Sequence, residues 1–205
     1  MMKKFFLKYS LKIVSEHYPD YDEDKLDEIR YGLEATYLSL TKTFVILMVC
    51  IILGIIKEAV ILLLLFNFLR LTGFGLHATK SWMCWISSSI TFIVVPFLCK
   101  NLIIPTYALS IVCLFCLLCF FLYAPADTKK RPLIHSKRRF IYKVITLLIG
   151  IMYTIVVLKV NNSLIQNTLV CAMLIECVLI HPLTYKIFKL PYNNYKTYVL
   201  AKNIV

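Results

Sequence analysis

Residues 102–123 run without a single charged side chain, and comparable apolar runs recur along the rest of the chain. A run of that length matches the roughly 20 helical residues needed to cross a bilayer. The runs are continuous, with neither the alternation of a half-buried strand nor the turn spacing of a membrane β-barrel, so helices supply the spans. Hydrophobic residues make up 60% of the 205. One soluble core of this size could not hide that much apolar surface, and lipid must cover the rest. The chain therefore reads as an all-α, polytopic integral membrane protein.

The spans are expected at 38–56, 59–71, 81–99, 102–123, 140–158 and 164–183, about six transmembrane helices in all. They form one membrane-embedded domain over 1–205: an amphipathic and acidic N-terminal segment (1–36), the helical bundle (37–183) and a basic tail (184–205). Near the start, lysines interleave with Phe5, Phe6, Leu7, Leu11 and Ile13, the pattern of an amphipathic helix lying on the membrane rather than a cleaved signal. Asp20 or Asp22 is placed to cap a helix that runs through Glu28, Arg30 and Glu34 into the first span.

The net charge of +12 sits mainly between the apolar runs, where it orients a membrane protein and meets anionic lipid; nucleic-acid binding would want a soluble basic face. Lys129, Lys130, Arg131, Lys137, Arg138, Arg139 and Lys143 crowd the connection between the fourth and fifth spans, which is therefore cytoplasmic. Six crossings then leave both termini cytoplasmic, along with the stretch from Arg70 to Lys80. The turns at Lys57 and Lys100 share the opposite side. No internal repeat supports an inverted-repeat transporter.

Seven of the eight cysteines lie in or beside apolar runs and are expected to pack as small hydrophobes, without structural disulfides. Cys113, Cys116 and Cys119 lack a nearby histidine, so the spacing is assigned to packing and no metal or other cofactor is expected. His17, His135 and His181 sit at solvated boundaries. Glu176 is the costliest residue of the sixth span and should face the bundle interior or a cavity.

The stretch from Arg70 to Lys80 is polar and broken by Gly73 and Gly75, a kind of backbone tolerated at membrane depth only where protein or a water-filled cavity surrounds it. It contains His77, and Cys84 follows between Trp82 and Trp85, side chains that favour the membrane boundary. Cysteine catalysis needs a thiolate, which a neighbouring imidazole makes by taking the proton. On one continuous helix, residues seven apart are separated by about 10.5 Å of rise, too far for a hydrogen bond. A His77–Cys84 dyad therefore requires a helix break between the two, with Cys84 in the first turns of the third span.

The run from Arg70 to Cys84, with Gly75-Leu-His-Ala78, resembles the accessory gene regulator protein B (AgrB) family of quorum-sensing peptide processors. Ile29-Arg-Tyr-Gly-Leu-Glu34 and Tyr123-Ala-Pro-Ala-Asp-Thr128 match as well, and length and layout extend the likeness over the whole chain. The resemblance implies a bacterial membrane endopeptidase that removes the C-terminal part of a precursor peptide, AgrD, and helps form a cyclic thiolactone or lactone. It makes Cys84 the nucleophile and His77 the general base. Arg70 is a candidate holder of the precursor's acidic end, against a plain interfacial anchor. Gly75 permits the chain break, and Glu34 and Asp127 are candidates to orient His77. The expected partners are an AgrD-like peptide and anionic lipids, with a homodimer as a guess and no nucleic acid. A transporter or channel without protease activity is the main alternative, and a non-catalytic membrane scaffold is a third.

Overall fold

The computed structural model describes residues 2–18, 21–76, 81–128 and 133–202, and the named elements among those residues are all helices. They divide into two compact units, Met1–Val49 and Cys50–Val205.

The first unit holds α1 (Met2–His17) and most of α2 (Glu23–Ile52). Asp22 starts α2: its Oδ1 accepts the Lys25 backbone N–H at 2.9 Å, satisfying one of the donors that a helix N-terminus leaves open. Within the unit, the Phe6 and Tyr37 rings meet with centroids 5.3 Å apart. Glu34 lies on α2 in this unit, half-buried.

The second unit contains α3 (Ile56–Gly73), α4 (Ser81–Ser89), a π-helical turn (Ile90–Val94), α5 (Val95–Asn101), α6 (Thr106–Tyr123), α7 (Ser136–Lys159), α8 (Ser163–Ile180), α9 (Pro182–Ile187) and α10 (Tyr195–Lys202). Five described helical stretches are long and apolar enough to cross a membrane: Lys25–Ile52, Trp82–Asn101, Thr106–Tyr123, Ser136–Lys159 and Ser163–Ile180. The remaining expected span is α3, 18 residues long, which carries Lys57, Glu58 and Arg70. It would extend about 27 Å. The expected fourth and sixth spans are shortened at prolines. Pro105, extended, precedes α6, so the helix starts at Thr106 and not at residue 102. Pro182 cannot continue α8, and the chain restarts there as α9, capped by His181 Nδ1, which accepts the Leu183 N–H at 3.2 Å.

Helix α8 is the axis of this unit, packing against α3, α5, α6 and α7. On α6, Leu109, Cys113, Cys116, Cys119 and Phe120 are buried, while Ile111, Leu114, Phe115 and Leu118 face outward. Steps of three residues turn a helix by about 300°, that is, 60° backwards. The three cysteines therefore share one face, and they form a packing stripe in which the Cys177 thiol approaches the Cys116 carbonyl at 3.6 Å. A Cβ on Gly150 of α7 would lie 3.0 Å from Phe120, so a small residue there lets α6 and α7 approach closely.

Pro96 has no N–H to offer the Phe92 carbonyl four residues earlier. The helix widens into the π turn at this point, with the Val95 N–H bonded to the Ile90 carbonyl, and the Phe92 carbonyl accepts the Cys50 thiol at 3.2 Å.

The connections gather at two ends. At one, Lys100 Nζ donates to the Gly54 carbonyl at 2.7 Å and lies 4.0 Å from Glu58, while Asn167 Nδ2 donates to the Leu102 carbonyl at 2.8 Å. At the other, the segment after α3 meets Ala126 and the end of α8, and the neighbouring Asp127 meets the tail. The turn expected at Lys57 falls instead at residues 53–55, with Lys57 in the first turn of α3, and Lys100 lies in the last turn of α5 at the same end of the unit.

Candidate functional site

Helix α3 persists through Arg70 to Gly73, further than the sequence suggested, and breaks at Phe74 and Gly75, whose φ values are 59° and 90°. Both lie in the left-handed region that favours glycine. At Gly75 the space also demands glycine: an added Cβ would sit 2.6 Å from Arg70 Nη1 and 2.8 Å from the Leu179 carbonyl oxygen.

Non-helical backbone beside lipid must find its hydrogen bonds inside the protein. From the Gly73 carbonyl to the Leu76 carbonyl, each group does. The Phe74 N–H bonds to the Arg70 carbonyl (3.2 Å), the Gly75 N–H to Ala126 (2.8 Å) and the Leu76 N–H to Leu179 (3.0 Å), and the Gly73 carbonyl accepts from the Ala126 N–H (3.0 Å). The Phe74–Ala126 pairing has the form of a short parallel bridge. The remaining three carbonyls accept from the Arg70 guanidinium, which donates to Phe74, to Gly75 (3.2 Å) and to Leu76 (2.5 Å). Arg70 is thus occupied with its own chain, an arrangement that neither the substrate-clamp nor the anchor reading anticipated.

Among the described residues the anionic neighbour of Arg70 is Glu176 of α8, with Nη1 3.8 Å from Oε2. The Glu176 side chain is fully buried, and neither carboxylate oxygen has a hydrogen-bond partner among the described residues. Its inward orientation agrees with the cost of exposing a carboxylate to lipid.

Asp127 completes the rim. It is 2% exposed. Its Oδ1 accepts the Asn194 backbone N–H at 2.8 Å and Oδ2 the Tyr195 N–H at 2.7 Å, so the carboxylate caps the start of α10. The Tyr185 hydroxyl donates to the Asp127 carbonyl at 3.1 Å, and the Tyr185 ring meets Tyr192 edge-on at 5.1 Å. Burial pushes the Tyr192 hydroxyl up to about 12 and raises that of Tyr185 as well, so both remain protonated donors at neutral pH.

Cys84 lies in the first turn of α4, half-buried, between the exposed Trp82 and Trp85. His77 falls in residues 77–80, outside the described residues. Of the other expected site residues, Arg70 and Gly75 meet directly, Asp127 joins them through Ala126, and Glu34 belongs to the other unit. The sequence had not marked Leu179, Tyr185 or Asn194, and had marked Ala126 only within a matching stretch; all four act here through backbone groups or at long range. Glu176 carried a signal, its cost inside a span.

A family model described as accessory gene regulator B matches residues 8–180. An AgrB-like protein of Clostridium acetobutylicum is 32% identical over 171 residues, covering 83% of this chain and 82% of the relative. An AgrB-like protein of Listeria monocytogenes serovar 1/2a is 30% identical, with 86% and 87% covered. Accessory gene regulator protein B of Staphylococcus epidermidis is 28% identical, with 77% and 80% covered. No solved structure matches.

Proposed function

The chain belongs to the accessory gene regulator B family, and from that premise we propose that it is a membrane-embedded cysteine endopeptidase acting on an AgrD-like precursor peptide. Membership carries a part in agr quorum-sensing autoinducer processing; the nucleophile, the base and the ring-forming step are our own reading. The observation that most supports this reading is the broken backbone between α3 and α4. Its polar groups are paired up to Leu76, immediately before His77, and the chain resumes as a helix with Cys84 in its first turn.

In this mechanism His77 takes the Cys84 thiol proton, and the thiolate attacks the scissile carbonyl. The tetrahedral intermediate collapses as His77 returns the proton to the departing amine of the C-terminal part. Cys84 then holds the N-terminal part as a thioester. A precursor cysteine, deprotonated in turn by His77, attacks that thioester and releases Cys84 as a thiol, exchanging one thioester for another. Water competes for the same carbonyl, and an apolar surround limits it. Arg70 and Gly75 serve by shaping the backbone and Asp127 by holding the tail, with the basic connection and both termini facing the cytoplasm.

Co-expression with the precursor tests this by intact mass, using wild type, Cys84→Ala and His77→Ala at matched membrane levels. The expected result is cleavage by wild type alone, its N-terminal product lighter by one water than the hydrolysed fragment. Equal cleavage by all three would rule out the dyad.

A further inference from the structure

Glu176 has no role in the reaction just described, yet it is a carboxylate buried in a membrane helix, and such a group persists only where something requires it. Its position is specified from two sides. A Cβ on Gly73 would overlap Oε1, so glycine at 73 makes room for the carboxylate. Unlike Gly75, Gly73 does not have a positive φ. On the other side stands Arg70 Nη1, 3.8 Å from Oε2, close enough for charge to act and too long for a hydrogen bond.

At that separation Glu176 can act on Arg70 through charge alone and not through a directional contact. Arg70 lies in the last turn of α3, and a long cationic side chain near a helix end turns towards water unless an anion keeps it inside. Its guanidinium stays with the carbonyls of Phe74, Gly75 and Leu76, which have no other donor among the described side chains. Release of Arg70 would leave three carbonyls without a donor, two of them on the buried Gly75 and Leu76, and the segment would have to rearrange.

We infer that Glu176 is a positioning residue: its buried charge holds Arg70 on the Phe74–Leu76 carbonyls and so fixes the backbone that delivers residue 77. The link to catalysis rests on the endopeptidase reading; the link to the segment does not. Glu176 acts through Arg70 and touches no reacting atom. A looser segment lowers the fraction of bound precursor that meets an assembled dyad, so the loss should fall on kcat and leave KM unchanged.

The test uses the full-length protein in liposomes with the precursor, comparing wild type, Glu176→Gln, Glu176→Asp, Arg70→Gln and the Arg70→Gln/Glu176→Gln double variant. Glutamine preserves shape but leaves Arg70 without its anion, which destabilises a buried pair, so the variants are compared at matched amounts of folded protein. Glu176→Gln should lower kcat roughly 10-fold to 100-fold at constant KM. It should also speed amide exchange at Gly75 and Leu76, which bond to Ala126 and Leu179. Glu176→Asp, which keeps the charge, should retain more kcat than Glu176→Gln. In the Arg70→Gln background the glutamine at 176 should cost nothing further. Unchanged kcat, a loss confined to KM, or a full additional loss in the double variant would each overturn the inference. If wild type cleaves no precursor, the endopeptidase reading fails on its own. The exchange comparison then still decides whether Glu176 holds the segment, faster exchange upholding that and equal exchange overturning it.

Discussion

The two ends of the Cys50–Val205 unit solve one problem with different chemistry. Where the chain turns at Gly54, stray carbonyls are met mainly by neutral amides, Asn167 reaching Cys99 and Leu102 and Gln166 reaching Val157, while the one cation there, the half-exposed Lys100, reaches Gly54 and stands 4.0 Å from the buried Glu58. Where it turns at Gly75, the same service comes from a guanidinium beside a fully buried carboxylate, and an aspartate caps the tail. Neutral amides hold helix ends at little cost, whereas a buried ion pair often stabilises no more than apolar packing would. The charged end is thus organised around one shape of a non-helical segment, and the amide end around joining helices.

The largest effect should separate the two glycines of positive φ. Gly54 has open space where a Cβ would go, and Gly75 has Arg70 and Leu179 against it. Gly75→Ala should reduce precursor processing by roughly 100-fold, measured as cleaved peptide at matched membrane levels. Gly54→Ala should cost only roughly 1–2 kcal/mol of stability and leave processing intact. Similar losses at both sites would erase the distinction between the ends.

A smaller effect is expected at Asp127, whose two oxygens receive the Asn194 and Tyr195 amides. Asparagine would turn a donor towards one of those donors, so Asp127→Asn should speed exchange of these two amides roughly tenfold. Unaltered exchange would mean that the carboxylate does not hold the tail. The smallest effect belongs to Asn167→Ala at the amide end. Thermal unfolding in detergent should show a loss of about 1 kcal/mol, with exchange at Gly75 unchanged. A change at Gly75 would show that the ends are coupled and break the contrast.

Much of the helical layout was legible because it follows from local rules: apolar runs, the Asp22 cap, and cations between spans. Two span boundaries were misplaced where Pro105 and Pro182 override an apolar run that continues past them. At the site, the stretches around Gly75 and Ala126 were each noticed, but their pairing was not, because a backbone bridge between distant segments leaves no trace in residue type. Asp127 and Asn194 are 67 residues apart and looked like unrelated polar residues. Gly73 was read as part of the helix break, and only the folded packing shows it as the space that Glu176 fills. Glu176 itself stood out by its cost in lipid, which signals that a partner exists without saying which.

The π turn at Ile90–Val94 also sets the aim of everything before it. A π turn inserts about one residue relative to α-helical spacing, and one residue is about 100° of rotation. Cys84 lies on one side of that turn, while Pro96 and Cys99, buried in the unit, lie on the other. The compass bearing of the Cys84 thiol around the helix is therefore fixed by how many residues fit between it and Pro96, and a single deletion within the turn would swing it by about 100° without altering any residue near it.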